Sequence, residues 1–288
     1  MKKSFLLFVL LFEMLECFGQ SPLELLDKAY HNKSHKQLEA FFQDWRQQLP
    51  INEPQDNDTL QCFYRVFNNF YNPMELEVIE SHFPHKTVVR QQKDGSIKER
   101  HCFQKKYKRY ANTRYFMVQD HLTVYMVDTT DCVDTQNVLV PYNFYWCQNW
   151  FDNAYKITRK IEVSDFRPKT QFSDKVVYLT PDYREALYKF LEAHTDQFSM
   201  DNLSTAKSQR IKDKSNFLKG YISPIYYRHR NYWLLNTWPV VNYMIADAQL
   251  EYIVVCFSKY TEGGYAVYHR KGGQWKLVET NITTNIDY

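Results

Sequence analysis

The stretch that most restricts what this chain can become runs from Tyr232 to Tyr288. Four of the seven glycines in the sequence sit here, as Gly263-Gly264 and Gly272-Gly273. Around them lie dense apolar and aromatic runs: Tyr252 to Phe257, Tyr265 to Tyr268, and Trp275 to Val278. Short apolar runs separated by glycine turns read as successive antiparallel strands. A sheet with an apolar face has to bury it against something, and the helices upstream are the expected cover.

Those helices announce themselves by their starts. Ser21-Pro22-Leu23-Glu24 is a capping box with proline at the first helical position, and Leu25, Leu26, Ala29 and Tyr30 follow at helical spacing. Ser34 opens a second helix with the stripe Leu38, Phe41, Phe42, Trp45 and Leu49, stopped by Pro50. The short polar link between the two predicts a helical hairpin. A third helix from Asp58 carries Leu60, Phe63, Tyr64, Phe67 and Phe70. Further on, Thr180-Pro181 is expected to cap a helix with the face Tyr183, Ala186, Leu187, Phe190 and Leu191. A weaker helix from about Ser204 ends at Gly220.

Between these helical groups the pattern alternates. Thr87-Val88-Val89, the Asp94-Gly95 turn and a return strand from Ile97 predict a hairpin. Arg114 to Val118 and Leu122 to Val127 predict another around Gln119-Asp120-His121. Residues 164–174 read as a connection. The chain is therefore expected to be α+β: a helical hairpin and antiparallel sheet in residues 20–165, then helices packed on a curved antiparallel meander in residues 175–288. Asp247-Ala248-Gln249 is the expected turn between Val241–Ala246 and Leu250–Ser258.

Residues 1–19 have the plan of a signal peptide. Lys2 and Lys3 precede an apolar run from Phe5 to Phe12, and Cys17 and Gly19 place small residues for cleavage before Gln20. The run is too short to span a bilayer. Glu13 and Glu16 lie unusually close to it. The rival expectation is a lipoprotein with Cys17 acylated, which Glu16 fits poorly. The chain is expected to be exported, periplasmic or secreted. An exported chain is free to oxidise its cysteines. Five follow the leader, and Cys132 with Cys147 is the preferred pair. Cys256, within a strand, reads as a small buried hydrophobe.

The net charge of +3 is too mild to argue for a nucleic-acid partner. One segment is locally basic: Lys86 to Arg114, with Lys105, Lys106, Lys108 and Arg109 at its densest part and tyrosines interleaved. Cations and aromatic faces suit an acidic polymer; a solvated hairpin whose lysines keep the edge from aggregating is the preferred reading, since the rest of the chain compensates the charge. Asp128, Asp131 and Asp134 lack the spacing and glycine of a calcium loop. His82 and His85 flank Pro84 and lack helical zinc spacing. Neither a nucleophile elbow nor a glycine-rich phosphate loop is present, so no metal, cofactor or catalytic residue is assigned. With 23 tyrosines and 20 phenylalanines, the aromatic content suits both core and half-wet binding surface.

Trp238-Pro239-Val240-Val241, Ile253 to Phe257, Gly264 to Tyr268 and Gly273 to Leu277 resemble the ending of uncharacterised exported bacterial proteins. Helices followed by a long meander also resemble the NTF2-like and cystatin-like α+β architecture, over residues 175 to 288. The resemblance implies a helix-covered sheet with a concave pocket and carries over no catalytic residue. The expectation is an exported, non-catalytic binding or envelope-associated module whose partner is a glycan, a peptide or an envelope protein. Tyr227, His229, Tyr232, Trp233, Trp238, Tyr243, Tyr265 and His269 are its candidate contact residues on the final sheet. A hydrolase acting on glycans or peptides, and binding of an acidic polymer through residues 86–114, are the alternatives.

Overall fold

The computed structural model describes residues 20–74, 87–91, 97–101, 110, 112–128, 156–192, 205–227, 232–259 and 262–283. The fold is α+β. Helix α1 (Pro22–His31) starts where its capping box places it: the Ser21 hydroxyl accepts from the Glu24 amide, and the Glu24 carboxylate accepts from the Ser21 amide. Helix α2 (His35–Gln48) is capped by Ser34, and α3 (Asp58–Phe70) by Asn57, whose side chain accepts from the Leu60 amide at 2.9 Å. Helix α4 (Pro181–Phe190) has proline in its first turn, but the Thr180 hydroxyl makes no capping bond. Helix α5 (Thr205–Leu218) is followed by Gly220 at φ +91.

The strands among the described residues are β1 (Thr87–Gln91), β2 (Ile97–His101), β3 (Phe116–Gln119), β4 (His121–Val127), β5 (Ile157–Ser164), β6 (Val176–Leu179), β7 (Ile225–Tyr227), β8 (Tyr232–Leu234), β9 (Val240–Asp247), β10 (Tyr252–Lys259), β11 (Glu262–Lys271) and β12 (Gln274–Thr283). The largest sheet has six strands in the order β12-β11-β10-β9-β4-β5. It is mixed: β4 runs parallel to β9, and the other pairs are antiparallel. Three two-stranded ladders, β1-β2, β3-β6 and β7-β8, are also present among the described residues.

The expected hairpin around residues 119–121 does not form. Only Asp120 separates β3 from β4, and the two strands enter different sheets. All four residues of β3 are buried, whereas β4 alternates between buried and more exposed positions. The Gln119 side chain then behaves like a stretch of backbone. Its Oε1 accepts from the Val241 amide and its Nε2 donates to the Val241 carbonyl, both at 2.8 Å.

The described residues fall into two compact units, each drawn from separate stretches of chain. The first comprises those in Met1–Pro50, Arg114–Val118 and Lys175–Asn236. The second comprises those in Ile51–Thr113, Gln119–Asp174 and Thr237–Tyr288.

In the first unit α1, α2, α4, α5 and the β3-β6 ladder share one core. Leu26, Leu38, Phe42, Trp45, Leu187, Phe190 and Leu218 are fully buried in it. Trp45 stacks on Tyr183 at 4.2 Å between ring centroids, and its indole N–H donates to the Tyr178 carbonyl at 3.0 Å.

In the second unit α3 packs on the six-stranded sheet. Phe70 meets Phe257 of β10 at 4.9 Å, while Tyr64 and Phe67 hold Phe166 at 4.6 and 4.8 Å. Gly264 is needed under that contact. A Cβ there would lie 2.7 Å from the Phe257 ring and 2.5 Å from the Asn281 carbonyl oxygen, closer than side chains tolerate. The helices expected to cover the final strands, α4 and α5, pack instead in the first unit. Their apolar faces are matched to α1, α2 and β6, which sequence order did not reveal.

Both edge strands of the six-stranded sheet are irregular. Met126 pairs with Arg159 and Val127 with Ile157, leaving Thr158 as an extra residue in β5. Val267 pairs with Glu279 and Tyr268 with Leu277, leaving Val278 extra in β12. Such bulges twist an edge and interrupt its row of hydrogen-bonding groups.

Candidate functional site

The six-stranded sheet has two unlike faces. Ile253, Val255 and Phe257 of β10 point to the face covered by α3 and are fully buried. The alternate residues, Val254 and Cys256, point the other way and cluster with Val127, Ile245, Tyr265 and Val267. Around this buried centre stand half-exposed aromatic residues: Tyr125, Tyr243, Tyr252 and His269.

One row of side chains crosses all six strands on this face. Lys160 of β5 lies over the Tyr125 ring of β4 at 5.8 Å. Tyr125 meets Tyr243 of β9 edge to face at 5.7 Å. Tyr243 is opposite Cys256 of β10, which is opposite Tyr265 of β11. The Tyr265 hydroxyl donates to Glu279 of β12 at 2.8 Å. Burial raises the Tyr265 pKa, and the Glu279 hydrogen bond raises it further. Burial pushes the Cys256 thiol up to about 12, against a smaller lowering by Tyr243. A thiol so buried and so weakly acidic is inert packing rather than a nucleophile. Farther along the strands, His269 stacks on Tyr252 at 4.2 Å with ring planes 10° apart.

Of the sequence-derived candidates, Tyr243, Tyr265 and His269 come together on this face. Tyr265 is nearly buried, 6% exposed, so its ring supports the row from below. Trp233 is elsewhere: it lies in the core of the first unit, 3% exposed. Its aromatic run had read as surface because β8 is short and its burial comes from distant helices. Trp238 is 4% exposed, and its backbone amide donates to the Tyr110 hydroxyl. Tyr227 and Tyr232 pair with each other in the β7-β8 ladder, outside the six-stranded sheet. His229, the basic group Lys105, Lys106, Lys108 and Arg109, the cysteines Cys132 and Cys147, and Cys17 lie outside the described residues. Cys62 and Cys256 are free and buried. Sequence reasoning missed Tyr125, Lys160, Tyr252 and Glu279. Tyr125 joins the row only through the non-local β4-β9 pairing.

A second polar cluster lies in the first unit. Both carboxylate oxygens of Glu39 are engaged: Oε1 by the Tyr115 hydroxyl at 2.7 Å and by Gln43, Oε2 by the Arg114 guanidinium. Arg114 also lies over the Tyr221 ring at 4.9 Å, and the Tyr221 hydroxyl donates to the His35 carbonyl. The Tyr115 hydrogen bond, then Arg114, holds the Glu39 carboxyl below its ordinary value, while burial opposes them. A depressed folded pKa stabilises the fold once pH exceeds the unfolded value. That stability is lost as pH falls through the folded value. Glu39→Gln is therefore expected to flatten the stability profile below about pH 4.3, the ordinary glutamate value. Urea denaturation at pH 3 to 6 measures this; equal slopes in both proteins would contradict it. A carboxylate tied in this way fastens α2 to the β3 segment and does not suit proton transfer.

Among the described residues no group of three or more His, Cys, Asp or Glu side chains is placed to hold a metal ion. No described helix is long and apolar enough to cross a membrane. Comparison with protein-family models, with curated proteins and with solved structures gave no match.

Proposed function

We propose that the protein is an exported, non-catalytic binding module that contacts a glycan, a peptide or an envelope protein through the aromatic face of its six-stranded sheet. The observation that carries this reading is the set of half-exposed rings on one face: Tyr125 edge-on to Tyr243 beneath Lys160, and Tyr252 stacked with His269. Half-buried tyrosines offer a large rigid surface with a polar tip at little entropic cost, which suits stacking on sugar rings or peptide groups. Lys160, ion-paired with Glu162, and Glu279, which accepts from the Tyr265 hydroxyl, place polar groups near the two ends of the row. Export is supported by the plan of residues 1–19.

The test is a titration of the full mature chain with neutral and acidic oligosaccharides and with short peptides, followed by NMR. Resonances of Tyr125, Tyr243, Tyr252 and His269 are expected to shift together. Tyr125→Ala and Tyr243→Ala are each expected to weaken binding about tenfold, roughly 1.4 kcal/mol. Binding indifferent to both substitutions sinks the proposed surface. Cleavage of any probe favours the hydrolase alternative, and retention on heparin that weakens steeply with salt favours the acidic-polymer alternative.

A further inference from the structure

Cleavage after Gly19 leaves Gln20 as the first residue, and an N-terminal glutamine carries both partners of a cyclisation. Its α-amine nitrogen attacks the side-chain amide carbon Cδ. The N–Cδ bond forms, the Cδ–Nε2 bond breaks, and Nε2 departs as ammonia, carrying the proton given up by the amine. The product is a neutral five-membered lactam, and the step needs neither oxidant nor co-reactant.

The surroundings of Gln20 favour this chemistry. The residue is half-buried and lies just outside α1. From Ser21 onward the backbone is held by the capping box, with the Ser21 amide donating to Glu24 Oε2 at 2.8 Å. The capping box is made by Ser21 and Glu24 and does not use the Gln20 side chain. An α-ammonium at this position would stand beside the positive end of the α1 dipole, and the lactam removes that charge. We propose that the mature protein begins with Gln20 converted to pyroglutamate. This rests on the leader reading given above, and its test separates the two.

The full chain is expressed with its own leader in a secreting host, and the recovered protein is analysed by intact mass and by mass spectrometry of its N-terminal peptide. The expected result is a chain beginning at residue 20, lighter than the uncyclised sequence by one ammonia and unreactive at its N-terminus toward amine reagents. A Gln20→Ala variant cut at the same place should react. A chain beginning at Gln20 with an intact amine, still intact after prolonged incubation, overturns the cyclisation and leaves the leader standing. A chain that begins elsewhere, keeps its leader or carries lipid on Cys17 overturns the leader reading and the cyclisation with it.

Discussion

Cut to residues 175–288, the chain is expected to lose its fold. The fragment keeps β9 to β12 but lacks β4 and β5, which complete the sheet beside β9, and α3, which covers it. It also keeps α4 and α5 without α1, α2 and β3, their partners in the core of the first unit. Phe257 loses Phe70, and the core of Phe190 and Leu187 loses Leu26, Phe42 and Trp45. Each large apolar side chain left uncovered forfeits roughly 1.5–3 kcal/mol, and a whole domain is stable by only about 5–15 kcal/mol. A handful of such losses exceeds that reserve in either unit. The complementary piece, residues 20–174, fails for the same reason. Amide dispersion in a two-dimensional NMR spectrum and resistance to proteolysis measure the outcome. A well-dispersed, protease-resistant 175–288 fragment would contradict the discontinuous arrangement.

Trp45→Ala is expected to cost about 3–5 kcal/mol. Trp45 has no solvent exposure, lies flat against Tyr183, and donates its indole N–H to the Tyr178 carbonyl. Truncation removes the ring, leaves a cavity between α2 and α4, and deletes a buried hydrogen bond. Trp45→Phe isolates part of that sum. It keeps an aromatic ring against Tyr183 but loses the donor, and about 1–2 kcal/mol is expected. Urea denaturation, with the slope compared as well as the midpoint, checks both variants. Similar losses for the two would place the weight on the hydrogen bond rather than on packing.

The local elements were legible because their causes are local. The Ser21 capping box, the Ser34 cap and the aromatic stripe of α3 each occupy a few consecutive residues. The turn between β9 and β10 was readable in place but not in extent: it was expected over Asp247–Gln249, whereas β9 ends at Asp247 and β10 begins at Tyr252. The Asp247 carboxylate accepts from the amides of Glu251 and Tyr252, and Leu250 takes a positive φ. What could not be read was partnership. Nothing near Val124 indicates that it will lie beside Met244, and a hairpin at residues 119–121 looked as good as two strands leaving for separate sheets. The aromatic face of the six-stranded sheet suffered the same way. Tyr243, Tyr265 and His269 belong to the locally paired final strands and were found, whereas Tyr125 and Lys160 arrive from strands made much earlier. Glu39, Tyr115 and Tyr221 likewise have no sequence proximity to advertise the bonds from the Tyr115 hydroxyl to Glu39 and from the Tyr115 amide to the Tyr221 carbonyl.

Thr158 and Val278, the extra residues in the two edge strands, bear on how a partner can be recognised. A protein that binds by adding a peptide as a further strand offers a straight, unpaired edge and reads mostly backbone, so it accepts many sequences. Here each edge is interrupted, and β5 also presents Arg159, Lys160 and Glu162. The backbone-to-backbone route is thereby made unfavourable at both ends. Under the proposed function, a ligand is then read by side chains on the face of the sheet, so its identity depends on ring geometry and charge placement and tolerates few substitutes.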